Sequence, residues 1–294
     1  MKQPKLMIVG AGSRLGFRLM QKAAGRFDWI GVDRVASRPE IRAADITHPD
    51  EILPLFKTFQ PDYVLQTAAI TDVDGCEANQ KLAWSVNVDG ARNIADICQK
   101  FKARLIHVST DYIFDGRDGP YDEDASPNPI NYYGLTKWEA EKAVQSLCPE
   151  SITVRTCVPY DWNPQCPPNF LMWLVGKLRE KQGVSIVNDQ WNTPTYNPHL
   201  AEVLLMLCDR WAPGVYNVSG RDFVNRYDFS LAVCDAFDFD RSLVTPTDSA
   251  RFKQSAARPP RAGLKVGKIE RHLGITMMSV KEGLEFARRD WLVY

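Results

Sequence analysis

The amino-acid sequence predicts an α/β fold built on a doubly wound parallel sheet, followed by a smaller mixed α/β region. Apolar strand-like runs alternate with helical stretches over roughly the first 155 residues, an order typical of βαβ units. The runs are almost continuously apolar, as in strands that helices cover on both faces. A glycine-rich turn follows the first run, where a strand of such a sheet leads into its helix.

The elements of the first part follow one another in chain order. Strands are predicted at LMIVGA, WIGVD, Ile41–Ile46, DYVLQTAA, RLIHVST and SITVRT, and helices over Gly16–Ala24, Pro49–Phe59, Glu77–Phe101 and 131–147. Pro49 suits a helix start, because the N–H that proline lacks has no partner there. Asn131 is expected to cap the last helix, since its side chain can accept from a backbone N–H of the first turn.

The composition changes after Thr156. The stretch VPYDWNPQCPPN is rich in proline, tryptophan and asparagine and indicates a loop or a domain boundary. We therefore expect a Rossmann dinucleotide-binding domain at 1–157 and a mainly substrate-binding domain at 158–294, some segments of which return to the first domain. Helices are predicted over Asn169–Lys181, over Pro198–Trp211 and at SVKEGLEFARRDWLVY, and strands at GVSIVN and GVYNVS. The C-terminal helix is amphipathic and is expected to pack on its own domain, with a homodimer contact as the alternative.

The composition is that of a globular protein without a charge bias. Hydrophobic residues make up 45% of the 294 positions, and 36 basic residues balance 36 acidic ones. A neutral chain argues against a nucleic-acid binder, and no apolar run approaches the ~18 residues of a membrane span. Seven cysteines without a C-x-x-C pair predict buried free thiols in a reducing, cytoplasmic environment. Four scattered histidines predict that there is no metal site.

A phosphate-binding turn is predicted between the first strand and the first helix. Its residues are Gly10, Gly12, Ser13, Arg14, Leu15 and Gly16. Glycines let the backbone approach a pyrophosphate, and the helix N-terminus offers free N–H groups and a partial positive charge. Asp33 ends the second strand about twenty residues later, where a carboxylate accepts a hydrogen bond from a ribose 2′-hydroxyl. Asp33 therefore favours NAD, whereas Arg14 and Arg34 in the same corner could hold the 2′-phosphate of NADP, which stays open.

A phenol and an ammonium group stand four residues apart at Tyr133 and Lys137, which places both on one face of the predicted helix. A free tyrosine has a pKa near ~10, and a neighbouring lysine cation is expected to lower it. The pair can then donate a proton to a carbonyl oxygen while a hydride reaches the carbonyl carbon. The stretch Ser109-Thr110-Asp111-Tyr112, at the end of strand RLIHVST, adds a hydroxyl at the sheet edge where ligands bind.

Together these motifs resemble the extended short-chain dehydrogenase/reductase family, and within it the dTDP-4-dehydrorhamnose reductases. The resemblance rests on the glycine turn, ADIT, QTAAITDVDGCE, VNVDGARNIA, VSTDYIFDG, PYDEDASPNPINYYGLTKWEAE and VRT, and more weakly on NDQWNTPTY and ARPPRAGLKVGKI. It covers most of the chain. It implies NAD(P)H-dependent reduction of a 4-keto nucleotide-linked deoxysugar, as in dTDP-rhamnose biosynthesis.

The resemblance also implies roles for individual residues. The catalytic triad would be Thr110, Tyr133 and Lys137, and the last two would also contact the cofactor. Further cofactor contacts would come from Asp45 and Ile46 beside the adenine and from Ala68, Ala69 and Thr71 along the dinucleotide. The residues facing the sugar would be Val73, Asp111 and Tyr112. The second domain would hold the nucleotide diphosphate, with Arg258 of the basic stretch as the candidate and a solvated loop as the alternative.

Two positions depart from the pattern of this family. Ser13 stands where the family usually has a glycine, so we expect a tighter approach to the pyrophosphate and weaker cofactor binding. Val158 stands in the substrate site where an aromatic residue packs on the sugar. The second difference bears on the identity of the sugar but not on the redox chemistry.

Other functions remain open on the same scaffold. The regulatory subunit of methionine adenosyltransferase is similar around DYxFDG and YGxTK, so the tyrosine and the lysine do not exclude a non-catalytic binding subunit. A nucleotide-sugar epimerase needs only the shared triad and a tightly held cofactor. A 4,6-dehydratase is less favoured because it needs an acidic pair beside the threonine, and Asp111 is followed by Tyr112.

Overall fold

The structure is a computed structural model that describes residues 3–252 and 254–293. Its strands are β1 Lys5–Val9, β2 Asp28–Asp33, β3 Ile41–Ala43, β4 Tyr63–Gln66, β5 Arg104–Thr110, β6 Ile152–Thr156, β7 Pro159–Tyr160, β8 Val184–Val187, β9 Trp191–Asn192, β10 Thr195–Tyr196, β11 Gly214–Asn217, β12 Val224–Asn225 and β13 Val244–Thr247. Its helices are α1 Arg14–Ala23, α2 Pro49–Phe59, α3 Val73–Ala78, α4 Gln80–Trp84, α5 Gly90–Phe101, α6 Tyr132–Leu147, α7 Phe170–Arg179, α8 Asn197–Asp209, α9 Arg226–Phe237, α10 Gly267–Leu273 and α11 Val280–Val293.

Seven strands form one sheet in the order β11-β6-β5-β4-β1-β2-β3, and every neighbouring pair is parallel. The predicted doubly wound α/β fold is therefore confirmed. The direction of winding reverses between β1 and β4, so a crevice opens between the carboxyl ends of these two strands. Ligands of open α/β sheets bind in this crevice.

Both faces of the sheet are covered by helices. Leu6 and Ile8 of β1 pack into a core that includes α1 and α8, whereas Met7 and Val9 pack into a second core with α2, α5 and α6. Alternation along one strand thus supplies both cores, since successive side chains point to opposite faces. The near-continuous apolar character of the strands follows from this double burial.

The second half of the chain contributes to the sheet and also builds a core of its own. Its strand β11 extends the sheet beside β6, and α8 packs on α1. The remaining strands of this half form three short pairs, namely β7 with β10, β8 with β13 and β9 with β12. Side chains of α7, α9 and α11 make the separate core, including Leu171, Phe229 and Leu284. The predicted boundary at residue 157 remains a proposal.

The long helix predicted over Glu77–Phe101 is confirmed over residues 80–101, where α4, a π-helical turn and α5 follow one another without a break, but the predicted start is wrong. Asp72 caps α3, which begins before the predicted start, and Asn79 caps α4 by accepting from the Leu82 N–H at 3.2 Å. A π-helical turn at Ser85–Asp89 then leads into α5. Short polar side chains favour such caps over continuous helix, which the apolar periodicity did not reveal.

The predicted cap at Asn131 is confirmed, since its side chain accepts from the Gly134 N–H at 2.8 Å at the start of α6. In contrast, α9 and α10 were not predicted, although Phe229, Val233 and Phe237 of α9 recur every four residues and pack in one core. Among the described residues, no helix has the length and apolar character needed to cross a bilayer.

Candidate active site

A cleft of about 890 Å³ opens at the carboxyl ends of β1, β4, β5 and β6, and residues of both chain halves line it. This volume is typical of a small-molecule or cofactor site. Most residues proposed from the sequence lie in its walls: Gly10, Gly12, Ser13, Arg14, Leu15, Asp33, Arg34, Asp45, Ile46, Ala68, Ala69, Thr71, Val73, Thr110, Tyr112, Tyr133, Lys137 and Val158. Three others, Gly16, Asp111 and Arg258, lie outside the lining.

The turn after β1 has a geometry suited to a pyrophosphate. Gly10 has a φ of +90°, and a Cβ there would lie 2.6 Å from the Ala68 nitrogen, so the position requires glycine. The Ser13 hydroxyl donates to the Gly10 carbonyl at 2.7 Å and accepts from the Gly16 N–H at 3.0 Å, which caps α1. A side chain at Gly16 would collide with the Gly10 carbonyl, so Gly16 packs the helix against the turn. Weaker cofactor binding through Ser13 stays a prediction.

Charged residues beside the turn have partners within the chain. Asp33, at the end of β2, accepts a hydrogen bond from the Gly12 N–H at 2.9 Å, so its carboxylate lies against the turn. Arg14 was expected to hold a 2′-phosphate together with Arg34, but its guanidinium pairs with Asp161 at 2.6 Å. The Asp161 side chain is fully buried, and a buried carboxylate requires a cation. Arg34 alone of the two arginines is exposed.

The three groups proposed for catalysis come together where β5 ends and α6 begins. Thr110 is the last residue of β5, and Tyr133 and Lys137 lie on the first turns of α6. A side chain at Gly134 would collide with the Tyr112 carbonyl, so this glycine allows the helix to approach the strand end. All three groups line the cleft.

Burial changes the proton affinities of the tyrosine and the lysine. It lowers the pKa of Lys137 to about 8, against the attraction of the Glu141 carboxylate, and the Lys137 Nζ donates to the Val108 carbonyl at 2.8 Å. Burial also raises the pKa of Tyr133, and a hydrogen bond with Thr110 opposes the rise. The expected lowering is therefore not found, because desolvation of the phenolate dominates. Tyr133 keeps its proton, which is the form that a proton donor requires.

Asp111 does not face the cleft as the resemblance implied. Its carboxylate is buried and accepts from the Cys157 thiol at 2.9 Å, from Thr110 Oγ1 at 3.1 Å and from the Gly263 N–H at 3.4 Å. Burial raises the pKa of Asp111 against these three hydrogen bonds. Its neighbour Tyr112 does line the cleft, because the 3₁₀ turn after β5 directs consecutive side chains to different sides.

Arg258 also has a partner other than the one expected. Its guanidinium forms two hydrogen bonds with the Asp74 carboxylate, at 2.9 and 2.8 Å, and lies outside the cleft lining. This paired geometry, above all the hydrogen bond from Arg258, lowers the pKa of Asp74 to about 2. The basic stretch is thus anchored to α3, and a diphosphate contact through Arg258 stays a prediction.

Comparison with known proteins identifies the family. Residues 4–290 match the family described as RmlD substrate binding domain. The chain belongs to this family. It is 35% identical to a dTDP-4-dehydrorhamnose reductase of Mycobacterium tuberculosis over 87% of this chain and 83% of that protein. A solved dTDP-4-dehydrorhamnose reductase from Bacillus anthracis, in complex with NADP, superposes on this chain with a TM-score of 0.90 and is 29% identical to it. The match covers 99% of this chain and 100% of that chain.

A third relative of this RmlD-family chain is the methionine adenosyltransferase 2 subunit beta of Danio rerio, which is 27% identical over 94% of this chain and 86% of that protein. The resemblance drawn from the sequence motifs, to reductases of the extended short-chain type, is confirmed. The Danio rerio relative is named as a subunit of another enzyme.

In this RmlD-family chain, several polar residues of the cleft were not among the proposed site residues, and Ser109, Thr156 and Arg226 are three of them. Ser109 and Thr156 line it, and their hydroxyls are buried without a hydrogen-bond partner among the described residues. Arg226, at the start of α9, also lines it. The segment NRYDFS gave no signal for Arg226, because an arginine at a helix start is ordinary on a protein surface.

Val158 lines the cleft in a strained backbone conformation. Its φ is +40°, which is rare for a β-branched residue. The Thr195 N–H donates to the Val158 carbonyl at 3.2 Å, and the Thr195 hydroxyl donates to the Cys157 carbonyl at 2.6 Å. These bonds hold Val158 in the wall of the RmlD-family cleft. Strain of this kind is typical of functional sites. In the described residues, no three His, Cys, Asp or Glu side chains cluster as metal ligands would.

Proposed function

We propose that the protein reduces a 4-keto group on a nucleotide-linked deoxysugar with NADH or NADPH. The observation that carries this proposal is the meeting of Tyr133, Lys137 and Thr110 in the same cleft as the glycine turn. Relatives named dTDP-4-dehydrorhamnose reductase and dTDP-4-keto-6-deoxy-D-glucose reductase support the substrate class.

The residues of the cleft fit a nicotinamide dinucleotide. The required glycine at Gly10 and the N-terminus of α1 offer a cradle for the pyrophosphate, and Asp33 lies at the position of a ribose partner. Ser109 and Thr156, which line the cleft, carry hydroxyls that have no hydrogen-bond partner among the described residues. We infer that both NAD and NADP are accommodated, with NAD favoured by the Asp33 carboxylate.

The chain's own groups move and hold the proton. A bound nicotinamide supplies the hydride that reaches the carbonyl carbon of the sugar. Tyr133 donates its proton to the carbonyl oxygen, and the raised pKa of the phenol keeps that proton available. Lys137 supplies a cation that stabilises the tyrosinate left behind. The Thr110 hydroxyl donates to Asp111 and accepts from the Tyr112 N–H at 3.2 Å, so its position at the centre is fixed.

Further parts of the proposal concern the setting of the enzyme. We place the protein in the cytoplasm, because all seven cysteines are unpaired thiols in buried positions. A homodimer through the amphipathic helix α11 remains part of the proposal.

The test is oxidation of NADH and NADPH, followed by absorbance, with dTDP-4-dehydrorhamnose and other 4-keto nucleotide sugars. We expect turnover with at least one sugar, abolished by Tyr133→Phe. Tight cofactor binding without turnover on any 4-keto sugar would contradict the proposal.

A second candidate is a non-catalytic binding subunit. The likeness to methionine adenosyltransferase 2 subunit beta and the aliphatic residue at Val158 favour it. Copurification with a larger enzyme, together with an absence of turnover, is the result expected for this alternative. Isolation as a fully active reductase without a partner would contradict it.

A further inference from the structure

The guanidinium of Arg226 is a cation of the cleft that the chain itself leaves unneutralised. Arg226 begins α9 and lies over the Phe170 ring, 4.7 Å from its centroid. Among the described residues, no carboxylate forms an ion pair with it and no acceptor forms a hydrogen bond with its side chain. Burial lowers the pKa of Arg226. Among the described residues, the group is thus partly desolvated without an anion in direct contact.

Three other half-buried arginines around the cleft differ in this respect, whereas Arg34, which also lines the cleft without an ion pair among the described residues, is exposed to water. Arg14 and Arg18 share the buried carboxylate of Asp161, each at 2.6 Å. Arg258 is neutralised by Asp74 at 2.8 Å. A buried charge without a partner is unfavourable. An unpaired, partly buried cation in a pocket wall therefore indicates that a bound ligand supplies the anion.

The surroundings of Arg226 place it on the side of the cleft away from the glycine turn. The charged or titratable groups that act on it are Tyr112 and Asp111 after β5, Cys157 after β6, and Arg258 of the basic stretch. The Asp111 carboxylate is already bound by Cys157 and Thr110. The pyrophosphate of a dinucleotide would lie instead at the N-terminus of α1. The anion that would pair with Arg226 therefore belongs to the substrate and not to the dinucleotide cofactor.

We propose that Arg226 binds a phosphate of the nucleoside diphosphate that carries the sugar. The inference rests on the proposed function for the identity of that reactant. A guanidinium presents a planar fork of N–H donors that matches two phosphate oxygens, and it retains its charge on partial burial. The phosphate supplies the missing anion, and its binding fixes the distance between the diphosphate and Tyr133. Arg226 is thereby a substrate-binding residue that selects diphosphate-linked sugars over free sugars.

The test is equilibrium binding of dTDP and of thymidine to the full-length protein by calorimetry. Wild type is expected to bind dTDP more tightly than thymidine. Arg226→Gln should weaken dTDP binding about 10- to 100-fold, the range of a charge-assisted hydrogen bond, and leave thymidine unchanged. Arg226→Lys should recover part of the loss, because the charge remains but the fork is gone. NADPH affinity should stay within twofold in all variants.

A matched control is Arg221→Gln, which removes an arginine near β12 that pairs with Glu282 at 3.2 Å. This variant should bind dTDP as wild type does. Urea unfolding of each variant establishes whether it is folded. If Arg226→Gln does not fold, Arg226→Lys still tests the inference.

Each alternative outcome overturns or supports the inference. Equal dTDP affinity in wild type and both Arg226 variants overturns it, as does a wild type that binds thymidine and dTDP equally. A fall in NADPH affinity with unchanged dTDP binding assigns Arg226 to the cofactor and overturns it as well. Loss of dTDP binding in Arg226→Gln supports it even if wild type reduces no keto sugar, in which case only the proposed reaction fails.

Discussion

The two walls of the cleft are built in different ways. In the wall from residues 1–157, most polar groups described above find partners within that wall: Ser13 caps α1 and bonds Gly10, and Lys137 donates to the Val108 carbonyl. In the wall from residues 158–293, the charged groups find theirs far away. Asp161 binds Arg14 across 147 positions, and Arg258 binds Asp74 across 184. Hydrogen bonds within the first wall thus shape it, whereas long-range ion pairs attach the second wall to it.

This difference suggests that the two walls have different roles. The first wall holds the groups proposed for chemistry, and its precision depends on α6 and the glycine turn. The second wall holds Arg226 and Val158, the groups proposed to recognise the substrate, and its position depends on a few buried charges. Substitutions in the first wall should therefore change turnover, while substitutions at the junction should change stability.

The largest effect is expected from Tyr133→Phe in the first wall. The change removes the proton donor and keeps the ring, so kcat should fall about 10²- to 10⁴-fold while cofactor affinity stays nearly constant. Steady-state kinetics and fluorescence titration with NADPH measure the two quantities. As a control, Tyr132→Phe removes the adjacent hydroxyl and should leave kcat within a factor of a few. Near-normal turnover of Tyr133→Phe would show that another group donates the proton.

Breaking the junction between the walls should cost stability. Asp161→Asn leaves Arg14 and Arg18 without their shared carboxylate, so the free energy of unfolding should fall by about 3–5 kcal/mol. Urea unfolding followed by tryptophan fluorescence measures the loss. Lys100→Ala, which removes the exposed pair with Asp96, should cost less than ~1 kcal/mol. Similar losses for the two variants would contradict the role assigned to the junction.

The same contrast explains what the sequence could predict. The strands, the cap at Asn131 and the grouping of Tyr133 with Lys137 follow from patterns within a few residues, and the structure places them accordingly. The partner of Arg258 could not be predicted from such patterns, because Asp74 is distant in the sequence and only the fold brings it close. Nor could the sequence show that Asp111 turns inward to Cys157.

Burial sets the pKa values of Tyr133 and Lys137, and local sequence could not show it. The pattern Tyr-x-x-x-Lys predicts a lysine cation that lowers the tyrosine pKa, and this expectation considers only the attraction between two charges. In the structure both groups are buried, and desolvation raises the pKa of Tyr133 and lowers that of Lys137. Burial depends on how α6 packs against the strand end, so it becomes known only with the fold.

The depressed pKa of Lys137 predicts a pH dependence of stability. The folded protein releases this proton near pH 8, but the unfolded chain holds it to about 10.5. Above pH 8 the unfolded state therefore binds more protons, and the contribution of Lys137 to the free energy of unfolding increases with pH, by up to ~1.4 kcal/mol per pH unit. Urea unfolding at pH 7, 8 and 9 should show wild type gaining stability relative to Lys137→Met. A constant difference between the two would contradict the lowered pKa.

The smallest effect concerns the choice between NAD and NADP at the edge of the first wall. Asp33→Ala removes a carboxylate that repels a 2′-phosphate, so the ratio of kcat/KM for NADPH over NADH should rise about tenfold. The carboxylate also accepts the Gly12 N–H, and its loss should weaken both cofactors. Asp33→Asn separates the two effects, because the amide oxygen still serves Gly12 while the charge is gone. A changed ratio in both variants assigns the preference to charge; an unchanged ratio in both leaves Asp33 as a support of the turn, with selection resting on Arg34.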